Sequence, residues 1–437
     1  MKMKKLVLFL TSAFCFLTAA SAAELTVTVE DSVRMAMQNN LQVKQAERTL
    51  AQTKRAKSNS WNSASPSIAA TGSFTIPLLE EQRNLDVNTS WSVGATASIA
   101  LHPSLFSSIR GAKLNYEQGL MTYEESLRAV ELNVRKIFYG ILLQIENIET
   151  QKRSMEAARR QYETNREKYN KGQIPELELL SSQVSYESKR PGIQSQENTL
   201  ANNIASFKML IGVDQNTDLT LSGSLEGFDT FDESRVDFNV YNTPSVKSLQ
   251  KNIDILNNAL LATRFAAWGP SFSATYQIAG GNAMGMTSGP VATGREDFKL
   301  TTHMLSLGVR IPLDGYLPWS SGANSIANQK DSLANLKESL ENAKVSVSVS
   351  VENNLRTINQ ALNQLKSLEQ TAALAQKTYE LTQTAYNHGS RDWNALKNAE
   401  DSYINAKTSL MAQNYTLITA ILDLENILGV PFGTFVE

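Results

Sequence analysis

Tyr169-Asn170-Lys171-Gly172 and Tyr386-Asn387-His388-Gly389 are one four-residue phrase written twice, 217 residues apart. The same shift carries Leu179 to Leu396, Tyr186 to Tyr403, Leu200 to Leu417, Ile204 to Ile421 and Gly212-Val213 to Gly429-Val430. Upstream it carries Ile109 to Ile326, Val130 to Val347, Ile141 to Ile358 and Tyr162 to Tyr379. A shift constant from 109 to 213 means two copies with no net insertion, and such a repeat fixes the architecture before any local feature does. Each phrase also reads as a helix end. Gly172 stands at a C-cap, and Pro175 stands in the first turn of a returning helix.

Working outward from the phrase, an apolar residue falls every seventh position: Leu120, Leu127, Val134, Ile141, Ile148, Met155, Tyr162 and Tyr169. Tyr116, Tyr123, Val130 and Ile137 form a companion row. Copy two answers with Ile326, Leu333, Leu340 and Val347, then Val351, Ile358, Leu365, Ala372, Tyr379 and Tyr386. Such spacing predicts long helices packed along coiled-coil seams. A helix over 105–169 would be roughly 95 Å long. After each phrase the chain doubles back, through 175–211 and 391–428, with a local kink expected at Pro191-Gly192. Shorter opening helices are expected over 30–59 and 243–266, each lying end to end with a return helix alongside one long helix.

Between the opening and long helices, four stretches alternate with period two: 68–76, 91–101, 272–278 and 305–313. One face is apolar (Ile68, Val93, Tyr276, Leu307) and the other small and polar (Thr71, Ser98, Thr275, Ser306). Each approaches the length of a tilted membrane strand, with one face for lipid and one for a lumen. Trp61, Trp268 and Trp319 near the strand ends suit an interfacial belt. The registers of the two copies drift only across 77–89 and 280–302, which marks loops. Four strands cannot close a membrane barrel, because the smallest have eight. A trimer gives twelve strands and a lumen, and a dimer gives the packed minimum; pattern alone ranks the trimer first.

Lys2, Lys4 and Lys5, an apolar run from Leu6 to Leu17, and Ala20-Ser21-Ala22 form a cleavable leader over 1–23. Cys15, the single cysteine, leaves with it, which excludes disulfides and thiolate sites. The formal charge of the whole chain is −2, and loss of three leader lysines makes it about −5. No basic block of the kind nucleic-acid binding needs is present. His102, His303 and His388 are isolated, and no hydrolase, phosphate-loop or metal motif accompanies them. Neither an enzyme nor a bound cofactor or metal is expected. His388 sits in the tip turn, as a residue at a helix C-terminus. A soluble periplasmic coiled-coil adaptor or structural protein is the alternative; its single helical hairpin would leave the second copy and the strands unexplained.

The tandem copies, Asn242-Thr243-Pro244, Ile311-Pro312-Leu313-Asp314-Gly315 and the Tyr-Asn-x-Gly phrases together resemble the TolC-like outer-membrane efflux proteins across essentially the whole chain. Asn39-Asn40-Leu41 in copy one has lost the proline. The resemblance implies a mixed α and β fold. Long antiparallel coiled-coil helices would form a periplasmic α-barrel, and four strands per subunit would contribute to a twelve-stranded transmembrane β-barrel in a homotrimer. It implies a first repeat over 24–213, an equatorial linker over 214–240 and a second repeat over 241–437, with an equatorial belt from 24–29, 213–240 and the C-terminus. It implies a passive export duct of a tripartite efflux or type I secretion system in the outer membrane. Its partners would be outer-membrane lipid, a periplasmic adaptor and an inner-membrane pump. Adaptor docking would fall on Gly172, Gly389 and Ser390, and a periplasmic gate on Glu178, Tyr386 and Arg391. An Arg and a carboxylate at a constriction make a physically sensible latch. Where several relatives carry an acidic ring, this chain has Ala395 and Asn398, so cation trapping there is not expected.

Overall fold

The computed structural model describes residues 25–75, 90–236, 238–281 and 302–436. The leader over 1–23 and most of the two expected loops lie outside the described residues. Eight α-helices and six strands are described: β1 Leu25–Val27, α1 Val29–Asn39, α2 Leu41–Ser58, β2 Ser67–Thr75, β3 Ser90–Leu101, α3 Ser104–Asn170, α4 Glu176–Glu187 and α5 Lys189–Ile211. They continue with β4 Leu219–Leu221, α6 Pro244–Trp268, β5 Ser271–Gly281, β6 Thr302–Arg310, α7 Ser321–Asn387 and α8 Trp393–Leu428. Both long helices, α3 and α7, have 67 residues, and they begin and end at the repeat shift. At 1.5 Å per residue each is roughly 100 Å long.

Three expectations need correction. The opening helix 30–59 is two helices, α1 and α2, parted at Asn40, whose side chain donates to the carbonyl of Leu210 at 2.8 Å. The kink in the return helix falls at Ser188 and not at Pro191-Gly192. Pro191 has no N–H and its ring would collide with the carbonyl four residues back, so the helix restarts at Lys189 with the proline in its first turn. The counterpart α8 runs unbroken for 36 residues through Thr408-Ser409. The fourth strand is Thr302–Arg310, so Ile311–Leu313 lie beyond it; Pro312 cannot donate to a ladder.

The chain divides into two compact units, each drawing on both copies of the repeat. One comprises Met1–Asn40, Glu131–Asp229 and Ala361–Ile418. Here β1 pairs parallel with β4, Leu25 opposite Leu219. Thr28 caps α1 by accepting from the Asp31 amide while the Asp31 carboxylate accepts from the Thr28 amide. Phe138, Ile141, Phe207, Ile211, Leu417 and Ile418 are its largest fully buried side chains, with the Phe138 and Phe207 rings 6.2 Å apart. Of the seven-residue row, Val134, Ile141 and Ile148 are buried here, so that part of the apolar stripe became seam.

The other unit comprises Leu41–Val130, Thr230–Gln360 and Thr419–Glu437. It holds one antiparallel sheet in the order β2-β3-β5-β6. Its register places Ser67, Ser98, Thr275 and Ser306 in one cross-strand row on one face. Ser67 and Ser98 hydroxyls meet at 2.7 Å, and Ser73 and Ser92 at 2.8 Å. The other face carries exposed Ile68, Tyr276, Leu305, Leu307 and Val309. The outer strands β2 and β6 each pair on one side within the chain. The C-terminal segment is tied down by Arg128, which donates to the carbonyls of Gly429 and Val430 at 2.5 and 2.6 Å.

After β6 the chain turns sharply at Asp314–Tyr316. A Cβ on Gly315 would stand 1.9 Å from the carbonyl oxygen of Ala267, while Trp268 donates to the Gly315 carbonyl at 2.9 Å and stacks on Tyr316. Backbone cannot step aside as a flexible side chain can. Gly315→Ala is therefore expected to destabilise this unit by about 3 kcal/mol. A thermal melt of the purified protein that matches the unsubstituted chain would refute it.

Candidate functional site

The two tight turns expected from the repeated phrase are present and identical. Gly172 and Gly389 have φ of 69° and 74°, a left-handed conformation that favours glycine. In the first turn Gly172 donates to the Tyr169 carbonyl at 2.8 Å and Gln173 to that of Lys168 at 2.9 Å. In the second, Gly389 donates to Tyr386 and Ser390 to Ala385, both at 2.9 Å. The Ser390 hydroxyl also donates to the Ala385 carbonyl. Both turns are exposed, and a Cβ on either glycine would meet no atom within 4 Å.

Of the three expected gate residues, two meet. The Tyr386 hydroxyl donates to Glu178 Oε1 at 2.8 Å and to Asn165 Oδ1 at 3.0 Å. Tyr386 is buried, its ring edge-on to Trp393 and clustered with Leu396 and Tyr379. Burial foremost, then the hydrogen bond to the Glu178 carboxylate and that carboxylate's charge, raise the Tyr386 pKa above its ordinary value. The phenol is thus held protonated, as the donor of both bonds. Arg391 stands apart: it is exposed and has no ion pair or side-chain hydrogen bond among the described residues. Ala395 and Asn398 lie on the first turns of α8 with no carboxylate between them.

Sequence reasoning missed four participants. Asn165, Trp393, Lys189 and Glu400 correspond through the repeat to Thr382, Glu176, Ala406 and Gln183, so the repeat does not advertise them. Glu400 is buried; it accepts a short hydrogen bond from Ser154, and Lys189 donates to both, reaching Glu400 Oε1 at 3.4 Å. One signal could have revealed it. Trp393, Leu396, Glu400 and Tyr403 are spaced as one helix face, and a carboxylate on an otherwise apolar face needs a partner. Glu400 in turn helps burial raise the Tyr379 pKa.

A protein-family profile described as "Outer membrane efflux protein" matches residues 32–213 and 242–430. Among solved structures, CusC superposes with a TM-score of 0.74 at 15% identity, covering 92% of both chains. The Campylobacter jejuni CmeC outer membrane channel gives 0.73 at 18%, covering 92% of this chain and 85% of that one. The open state of the Neisseria gonorrhoeae MtrE outer membrane channel gives 0.72 at 17%, covering 92% and 89%. No curated protein sequence matches this chain.

Proposed function

This chain belongs to the outer membrane efflux protein family, and from that premise we propose how its subunits assemble, dock and gate. The protein is a passive efflux channel of the outer membrane that extends into the periplasm, and not an enzyme. No described helix is long and apolar enough to cross a membrane. Its passage through the bilayer belongs instead to the sheet β2-β3-β5-β6.

One observation carries the assembly. Among the described residues the sheet has two edges without a partner, and unpaired backbone cannot face hydrocarbon. Three subunits, with β6 of each beside β2 of the next, close twelve strands. Their apolar faces meet lipid, and the rows containing Ser98 and Thr275 line a lumen. Family channels are trimeric and work with periplasmic adaptors and inner-membrane pumps. The purified protein is expected to run as a trimer that persists in mild detergent. A monodisperse monomer of native helicity, measured by light scattering, would defeat this architecture.

The helical tips supply the rest. Gly172, Gly389 and Ser390 form the surface that receives the adaptor, because they are open, tightly turned and stand at the ends of α3 and α7. Tyr386 and Glu178 hold two hairpins of one subunit together, and exposed Arg391 is free to pair across to the next subunit. These three residues form the resting gate. Residues 24–213 and 241–437 act as two copies of one hairpin-bearing unit joined through 214–240, delivered to the periplasm by the leader. Without carboxylates at Ala395 and Asn398, the mouth does not trap cations.

A further inference from the structure

The described residues between Arg48 and Tyr116 contain no aspartate or glutamate, yet Lys54, Arg55, Lys57, Arg110 and Lys113 are all exposed there. These five lie at one level of one unit. Arg55 and Lys57 occupy the last turn of α2, shortly before β2, with Lys54 one residue ahead of it, while Arg110 and Lys113 occupy the early turns of α3, just after β3. Lys57 Nζ sits 4.5 Å over the Tyr116 ring, which ties the two groups together. Copy two is sparser and mixed in sign: Ile255–Trp268 carries Arg264 alone, Ser321–Gln329 carries no charge, and Lys330, which answers Lys113 through the repeat, is followed at once by Asp331.

Ordinary helix chemistry accounts for only half of this. Cations at the C-terminal end of α2 complement the helix dipole, but Arg110 and Lys113 lie past the first turn of α3, where the dipole acts; Lys113 has Glu117 3.9 Å away, and Arg110 has no acid on its own turn. What adjoins the cluster is an apolar and aromatic belt: Trp61, Phe106, Leu313, Tyr316 and Trp319 are all exposed at the same end of the sheet. Cations set one or two turns beyond an exposed aromatic belt match the headgroup layer bordering a bilayer's hydrocarbon core, which their long stems reach by snorkelling.

We propose that these five residues form a basic collar that binds anionic phospholipid headgroups in the periplasm-facing leaflet, so that copy one of the repeat anchors the channel electrostatically and copy two does not. The inference rests on the reading of the sheet as membrane-embedded. Each cation near an anionic surface raises partitioning about fivefold, and the contact is weakened where salt shortens the screening length to about 3 Å.

The test uses the full oligomer in mild detergent, titrated with phosphatidylglycerol or phosphatidylcholine and read by native mass spectrometry. The unsubstituted channel is expected to retain about tenfold more phosphatidylglycerol than phosphatidylcholine. Lys54→Gln, Arg55→Gln, Arg110→Gln and Lys113→Gln together should remove that preference with the oligomer intact. The charge-keeping set Lys54→Arg, Arg55→Lys, Arg110→Lys and Lys113→Arg should restore it. Equal retention of both lipids by the unsubstituted channel, an undiminished preference in the glutamine variant, or its loss in the charge-keeping variant each overturns the collar. The membrane reading is tested separately, by insertion into phosphatidylcholine bilayers; a channel that inserts there and still shows no lipid preference fails the collar alone.

Discussion

Tyr386→Phe combined with Arg391→Ser is expected to raise the resting open fraction of the channel at least about tenfold. The phenol donates to a carboxylate, and a hydrogen bond to a charged group contributes about 1.5–3 kcal/mol. About 1.4 kcal/mol is tenfold in an equilibrium, so losing this bond in even one subunit reaches that figure. Folding should survive. The phenylalanine ring keeps its packing on Trp393, Asn165 Oδ1 still accepts from Gln161 at 2.9 Å, and half-buried Glu178 can turn to water. Arg391 already has no partner within the described residues of its own chain, so its removal leaves no buried group stranded. Single-channel conductance in planar bilayers reads the effect, and sensitivity of cells to large antibiotics reads it in vivo. Unchanged conductance from verified trimers would reduce these residues to ordinary tip side chains.

Gly389→Trp is expected to abolish export altogether, and Gly172→Trp to weaken it severely. At both positions an added Cβ meets no atom within 4 Å, and the turns are exposed. The folded state therefore loses only the left-handed backbone cost, roughly 1–2 kcal/mol per site, against a fold built on helices of 67 residues. A bulky indole on the exposed turn would instead obstruct whatever seats there. Gly389→Ala is the control, because it carries the same backbone penalty with almost no bulk. Drug susceptibility at the level of a channel-less strain for the tryptophan variant, beside near-native export for the alanine variant, is the expected pair of results. Normal export with tryptophan at 389 would move adaptor docking away from the tips.

The long helices were legible almost to the residue, expected over 105–169 and found at Ser104–Asn170, because a seven-residue row and a constant shift report the same object independently. Strand four was misplaced for a physical reason. Ile311 and Leu313 continue the alternation of β6, but alternation records exposure and says nothing of a ladder that Pro312 cannot join. The break at Asn40 is held by a carbonyl 170 positions away, and its one trace in the sequence is that Leu41 stands where Pro244 opens α6 in copy two. At the site, Tyr386 and Glu178 were named through the family resemblance. Asn165 was not, since a polar residue on a buried helix face looks like a solvated one until the partner helix is in place; Glu400 was not either, although the apolar face of Trp393, Leu396 and Tyr403 around it marks it.

The two long helices end in superimposable turns after the same number of residues, and this makes their length a shared measurement. A change of one residue in α3 alone would rotate its tip by about 100° and leave Asn165 facing away from Tyr386. Growth or loss must instead come in whole heptads of about 10 Å, entered together in α3, α7 and both return helices. The repeat thus works as a matched gauge block: variants of this channel fitted to envelopes of different depth should differ by multiples of seven residues, in both copies at once.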